Sequence, residues 1–257
     1  DIFCSAAMSN NIYITKWCIN EKKIDVNRKN DKGMNPLLLA AENGCFETFL
    51  LILKYCKNVD INITDSKYNK NALHFACEHN HSEIVELLLT YSDSKIDCLA
   101  PGFRKMNALC LACKNGCVSC VRALLRYVPE KDLNSLLNDH ADYSLATPLH
   151  LACWHGHKEI VNILIHEEDV NVLSLMDDNR TPLHIAAENR HFEIVSLLIQ
   201  RENLLVNAQD KGGFTALHLA ACNNDADTVK VLLNSRLCNL SLYEKRILLF
   251  VLMVFFF

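Results

Sequence analysis

Cys110-x-x-Cys113-x-x-x-Cys117-x-x-Cys120 is the grouping in this chain with the most obvious chemistry, because paired thiolates two residues apart are the usual spacing of a structural zinc site. Histidines form the second grouping. His74, His150, His184 and His218 recur at similar intervals, and His79 with His81 and His155 with His157 form close pairs. The i, i+2 spacing of those pairs does not place two ligands on one helical face. Motifs that would carry catalysis are missing: there is no Gly-x-x-x-x-Gly-Lys phosphate loop, no Gly-x-Ser-x-Gly elbow and no His-Glu-x-x-His pair.

What these residues can do depends on the elements that hold them. The 257 residues are 50% apolar yet include only 7 glycines and 5 prolines. Few turn residues disfavour an all-β sandwich or barrel, and ample apolar surface disfavours disorder, so helices are expected. Lys plus Arg total 26 against 30 Asp plus Glu, a net charge of −4 that gives no field to attract a nucleic acid. Thirteen cysteines, an odd number, in a chain whose first residues lack a secretory pattern predict reduced thiols and a cytoplasmic, intracellular setting. The chain opens on Asp1 rather than Met, which points to a piece of a longer protein.

One string recurs six times, beginning at Asn35, Asn71, Asn107, Thr147, Thr181 and Thr215; its clearest copy reads Thr181-Pro182-Leu183-His184-Ile185-Ala186-Ala187. Successive starts are 36, 36, 40, 34 and 34 residues apart, a period that means a solenoid. A second apolar run follows at a fixed offset, as in Glu83-Ile84-Val85-Glu86-Leu87-Leu88-Leu89, so each repeat holds two short helices. The Asn or Thr that opens each copy can cap a helix, and Pro36, Pro148 and Pro182 stand where a missing N–H is tolerated. Gly44, Gly116 and Gly156, with Asn80, Arg190 and Asn224 in their places elsewhere, mark where the first helix stops in a left-handed residue; Arg190 fits this least well.

These strings, with the Val-Asn or Ile-Asn steps at Val26, Ile61, Val170 and Val206, resemble the ankyrin-repeat family. The resemblance implies an all-α solenoid of stacked helix-turn-helix units with β-turn fingertips, inner helices lining a concave face and outer helices a convex one. It covers residues 1–237 as about seven repeats, the first partial and opening on Asp1 as its cap. It also implies that the recurrent histidines are buried and hydrogen-bond backbone groups of the neighbouring turn. On this register Cys113 takes the small core position of Ala41 and Ala187, and Cys120 that of Ile84 and Ile194, so both pack as small hydrophobes. The four sulfurs then cannot converge on a metal, and no metal or cofactor is expected.

Two stretches depart from the pattern. Residues 127–146 hold the extra residues of the longest period; Pro129, then Glu130 and Asp132, then Leu133, Leu136 and Leu137 predict an additional short helix on the outer edge, read as a tolerated surface insertion or as a partner-specific contact. Residues 238–257 end in eleven consecutive apolar residues from Ile247, too few to span a bilayer. Three readings stand for that segment: a closing helix, the start of a transmembrane helix, or a gene-model artefact.

A solenoid without a catalytic constellation is expected to be a non-catalytic module that binds a protein on its concave face. No nucleic acid and no small-molecule substrate is expected; a membrane enters only if the parent protein continues into transmembrane helices after the apolar segment. The alternative is the cytosolic ankyrin region of a membrane protein such as an ankyrin-type transient receptor potential cation channel. Contact residues expected from positions the repeat does not need are Tyr68, Phe103, Arg104, Arg180 and Phe214 at the fingertips and Trp154 at the end of an inner helix.

Overall fold

Each anchor string folds into a two-turn helix because its first residue satisfies the N–H groups that such a short helix leaves open. The side-chain oxygens of Asn35, Asn71 and Asn107 accept the N–H three residues on, from Leu38, His74 and Cys110, at 2.9, 3.1 and 2.9 Å. The computed structural model describes residues 2–21, 24–91, 95–141, 144–201, 205–235 and 237–238. The apolar stretch from Ile247, and Asp1 as a cap, lie outside the described residues. Among them there are fifteen α-helices and no strand; Ala141 and Ala146 form an isolated bridge.

The chain divides into two compact units, residues 1–136 and 137–257. In the first, the inner helices are α1 (Ile2–Met8), α3 (Pro36–Glu42), α5 (Ala72–Glu78) and α7 (Ala108–Asn115). Their outer partners are α2 (Ile12–Asn20), α4 (Phe46–Tyr55), α6 (Ser82–Thr90) and α8 (Val118–Tyr127). Inner helix packs on inner helix and outer on outer, each pair joined by a tight turn. In the second, α10 (Pro148–Trp154), α12 (Pro182–Glu188) and α14 (Ala216–Cys222) are inner, and α11 (Lys158–Leu164), α13 (Phe192–Leu198) and α15 (Ala226–Asn234) are outer. The extra residues of the longest period do form a helix, α9 (Glu130–Asn138).

The stack is close because of what the anchor string puts inside. Leu37, Leu73 and Leu109 in the first unit, and Leu149, Leu183 and Leu217 in the second, are at most 1% exposed; the alanines three residues on, such as Ala76 and Ala186, are fully buried. A methyl side chain lets neighbouring inner helices approach, while the leucines remove apolar surface from water. Each helix pair then reverses through one left-handed residue: Gly44, Gly116 and Gly156 at φ +68°, +75° and +75°, and Asn80, Arg190 and Asn224 at φ +62°, +62° and +51°. Arg190 accepts this conformation, and its guanidinium donates to the Asn223 carbonyl at 2.6 Å.

Asparagine side chains tie successive turns along one edge of each unit. Asn27 donates to the Asn58 carbonyl at 2.7 Å and accepts the Asp60 N–H at 2.8 Å; Asn62 does the same for Lys95 and Asp97 at 2.9 and 2.8 Å. In the second unit Asn138, the last residue of α9, bridges Asp169 and Asn171 at 2.8 and 2.9 Å. A single amide thus satisfies one donor and one acceptor of otherwise unpaired loop backbone.

Candidate partner-binding surface

The surface best able to take a partner is built from the fingertip loops that precede the inner helices. The second and third fingertips of the first unit interlock: Tyr68 and Phe103 meet edge to face, ring centroids 5.1 Å apart at 70°, and Asn69 donates to the Pro101 carbonyl at 2.9 Å. Lys67 holds its ammonium 4.6 Å from the Tyr68 ring centre and Arg104 its guanidinium 5.4 Å from that of Phe103. The Tyr68 hydroxyl is the main cause that raises the Lys67 pKa. Arg104 and Lys105 both take left-handed backbone, φ +56° and +58°, which is costly for residues with side chains. Asp65 anchors the second loop, its buried carboxylate accepting the N–H groups of Lys67, Tyr68 and Lys70 at 3.0, 2.9 and 2.6 Å.

Between the first and second fingertips and the inner helices α1, α3 and α5 lies a groove of about 890 Å³. Lys32, Lys67, Met8, Glu42, Phe75 and Glu78 are among the residues that line it. Lys70, one residue before its helix cap, turns inward to pair with Glu78 at 2.5 Å. In the second unit Arg180 stands at the same place relative to its cap and pairs with Glu188 at 2.7 Å, with Asp178 at 3.1 Å and with Asp210 at 3.6 Å. Arg180 therefore ties fingertips to an inner helix through three carboxylates. Phe214 is 42% exposed and lies edge-on to His218 at 5.9 Å; Trp154, the last residue of α10, is 45% exposed, and its carbonyl lies 3.3 Å from His191 Nε2. Phe103 is 45% exposed and Tyr68 half-buried. The structure brings Tyr68, Phe103 and Arg104 into one cluster in the first unit and sets Arg180 and Phe214 on fingertips of the second. Sequence reading missed Lys67, Lys70 and Glu78; for Lys70 and Glu78 the signal was a charged residue just before the cap with Glu eight residues on.

The thiol and imidazole groups serve the frame. Cys110, Cys113, Cys117 and Cys120 are at most 3% exposed. Burial pushes the Cys117 thiol up to about 11 and holds Cys77, hydrogen-bonded to Cys120, well above the ordinary range, so these thiols are packed and protonated. Among the described residues no group of three or more His, Cys, Asp and Glu is placed to hold a metal ion. None of the thirteen cysteines is disulfide-bonded. His150 and His184 receive the cap N–H of Thr147 and Thr181 on Nδ1, each at 3.2 Å, which leaves Nε2 protonated to donate across to the Arg180 and Phe214 carbonyls at 3.2 and 3.1 Å. No helix among the described residues is long and apolar enough to cross a membrane.

The ankyrin-repeat family profile matches three times, over residues 3–100, 93–174 and 168–242. Curated relatives include a probable E3 ubiquitin-protein ligase, XBOS32, of Oryza sativa subsp. japonica, 31% identical over 56% of this chain and 26% of that protein. Inversin of Canis lupus familiaris is 34% identical over 57% of this chain and 13% of that protein. The B-cell lymphoma 3 protein homolog of Mus musculus is 30% identical over 45% and 25%. The matches thus span about a quarter or less of these relatives. Two solved ankyrin-repeat domains share the fold, each with a TM-score of 0.72: that of Bcl-3, 19% identical, covering 86% of this chain and 93% of that one, and that of human ASB11, 22% identical, covering 91% and 97%. By its repeated anchor strings, its capped helix pairs and a profile match over nearly its whole length, the chain belongs to the ankyrin-repeat family.

Proposed function

We propose that residues 1–237 form an ankyrin array that acts as a non-catalytic scaffold, binding a protein partner on the concave face lined by inner helices and fingertips. One observation carries this reading. Aromatic side chains that the fold does not need, Phe103, Trp154 and Phe214, stay 42–45% exposed on backbone held rigid by caps and cross-loop hydrogen bonds. Large side chains on preorganised backbone lose little entropy on binding, and aromatics dominate interface hot spots. Thirteen cysteines, none of them in a disulfide, support a reducing, cytoplasmic setting. The activity named for the rice relative is not extended to this chain, since the match spans 26% of that protein.

Quantitative affinity capture with the wild type, Phe103→Ala and Trp154→Ala tests the reading. Partners enriched by the wild type and reduced several-fold by either variant, at unchanged melting temperature, support it. Partners retained equally by both variants move the contact off this surface.

A further inference from the structure

The exposed charges of the first unit's fingertips are one-sided. Arg28, Lys29, Lys32, Lys67, Arg104 and Lys105 are exposed cations there, with Asp31 the exposed anion among them; Asp25, Asp60 and Asp97 are exposed at the bases of the same loops, and Asp65 is buried and consumed by backbone N–H groups. Among the described residues, the fingertips of the second unit that precede α12 and α14 instead expose Asp177 and Lys211, while Arg180 is spent on three carboxylates. In a chain of net charge −4, a basic row confined to one set of loops is a local feature with a local cause.

We propose that the fingertip row of the first unit is the docking site for an acidic segment of the protein partner. Carboxylates of that segment are received by Lys32, Lys67 and Arg104, and an apolar side chain between them lies against the Tyr68–Phe103 edge. The inference rests on the protein-binding reading and names the chemistry of the partner. Three observations converge on it. Lys67 and Arg104 are already placed over aromatic rings, so little side-chain freedom remains to be lost when a carboxylate arrives. Asn69 and the edge-to-face ring pair fix the two loops at one spacing. The groove is lined by Met8 and Phe75 for an apolar contact, but also by Glu42, which repels a ligand bearing charge at every unit of its length, while Glu78 is already paired with Lys70. A polyphosphate is therefore disfavoured relative to a peptide whose acids are interspersed with apolar residues.

Selection from a displayed random-peptide library on the intact chain tests this, followed by affinity measurement of the recovered peptides. Peptides enriched in Asp and Glu around an aromatic or Leu are expected, with affinity falling at least tenfold in Lys67→Glu/Arg104→Glu and weakening as salt rises. The salt dependence of the wild type keeps the proposal open to refutation if the double variant does not fold. Recovered peptides with no acidic bias, or acidic peptides bound equally by the double variant and at all salt concentrations, would overturn the acidic-segment assignment and leave the protein-binding reading standing. Recovery of no peptide at all would sink both. Tighter binding of a single-stranded oligonucleotide than of any recovered peptide would overturn the assignment in favour of a nucleic acid.

Discussion

His184 Nε2 lies 3.1 Å from the carbonyl oxygen of Phe214, in the fingertip of the next repeat, while its Nδ1 accepts the N–H of its own helix cap, Thr181. One neutral imidazole thus fastens a helix start to the neighbouring loop. Protonating Nδ1 would turn it against the cap N–H, and burial opposes the charge as well.

The first prediction concerns acid. Burial lowers the pKa of His74 and of His150 to about 4, against an ordinary 6.5, and lowers that of His184 in the same direction. The unfolded chain therefore binds protons that the folded chain refuses. Stability should be fully present above pH 6.5 and fall as the pH drops from 6.5 toward about 4, by up to roughly 3 kcal/mol for each of the two most shifted histidines. Denaturant titrations across that window check it; His150→Gln should reduce the slope, and a flat profile would refute the assignment.

A second prediction uses three buried hydroxyls. Thr15, Thr48 and Thr228 are fully buried on outer helices, Thr48 and Thr228 where other repeats place Ile or Cys and Thr15 where they place Phe or Val, and their Oγ1 atoms find no hydrogen-bond partner among the described residues. Thr48→Val keeps the shape and removes an unsatisfied polar atom, so it should stabilise the protein by about 1–2 kcal/mol. Thermal unfolding of the single variant is the measurement, and a lowered melting temperature would count against the reading.

Backbone shape supplies the third. At Gly156, φ +75°, an added Cβ would lie 2.6 Å from His191 Cε1, and Gly44 meets His81 at 2.5 Å in the same way in the first unit. Gly156→Ala should cost about 1–3 kcal/mol through left-handed strain and displacement of the imidazole beside the Trp154 carbonyl. Asn80→Gly, at a left-handed residue in the equivalent position of another repeat, should stay within roughly 0.5 kcal/mol. Equal effects at both sites would show that the turn tolerates a side chain regardless of its neighbour.

The fourth prediction separates thiols by access. Cys222 is exposed and Cys56 and Cys238 half-buried, whereas the remaining ten are buried. A colorimetric thiol reagent should give a fast phase that Cys222→Ser removes, with the Cys110 to Cys120 group reacting only on unfolding. Fast labelling of that group in the folded protein would show that its packing is looser than described.

Much of the frame was legible because a repeat prints the same instruction several times. Asn35, Asn71, Asn107, Thr147, Thr181 and Thr215 each stand immediately before an inner helix, and the left-handed stops fall on the glycines, asparagines and Arg190 read from the pattern. Cys120 was placed as a small hydrophobe by its register with Ile84, and both are buried. Contacts between repeats were less readable. Tyr68 and Phe103 are 35 positions apart, and nothing in either loop alone says that their rings touch. Arg180 was chosen for its type, but type does not reveal that Asp178, Glu188 and Asp210 already surround it. The basic row was hidden by a net charge that averages over the chain, since clustering is a property of folded loops.

The asparagine bridges have a mechanical consequence. Asn27 and Asn62 in the first unit, and Asn138 in the second, each reach only from one turn to the next, so no rung spans more than a single repeat. Tension applied along the chain would then load the rungs in series. Within each unit the array should lengthen in steps of one helix pair, as a zip opens tooth by tooth, and on release each pair would find its neighbour's edge waiting as a template.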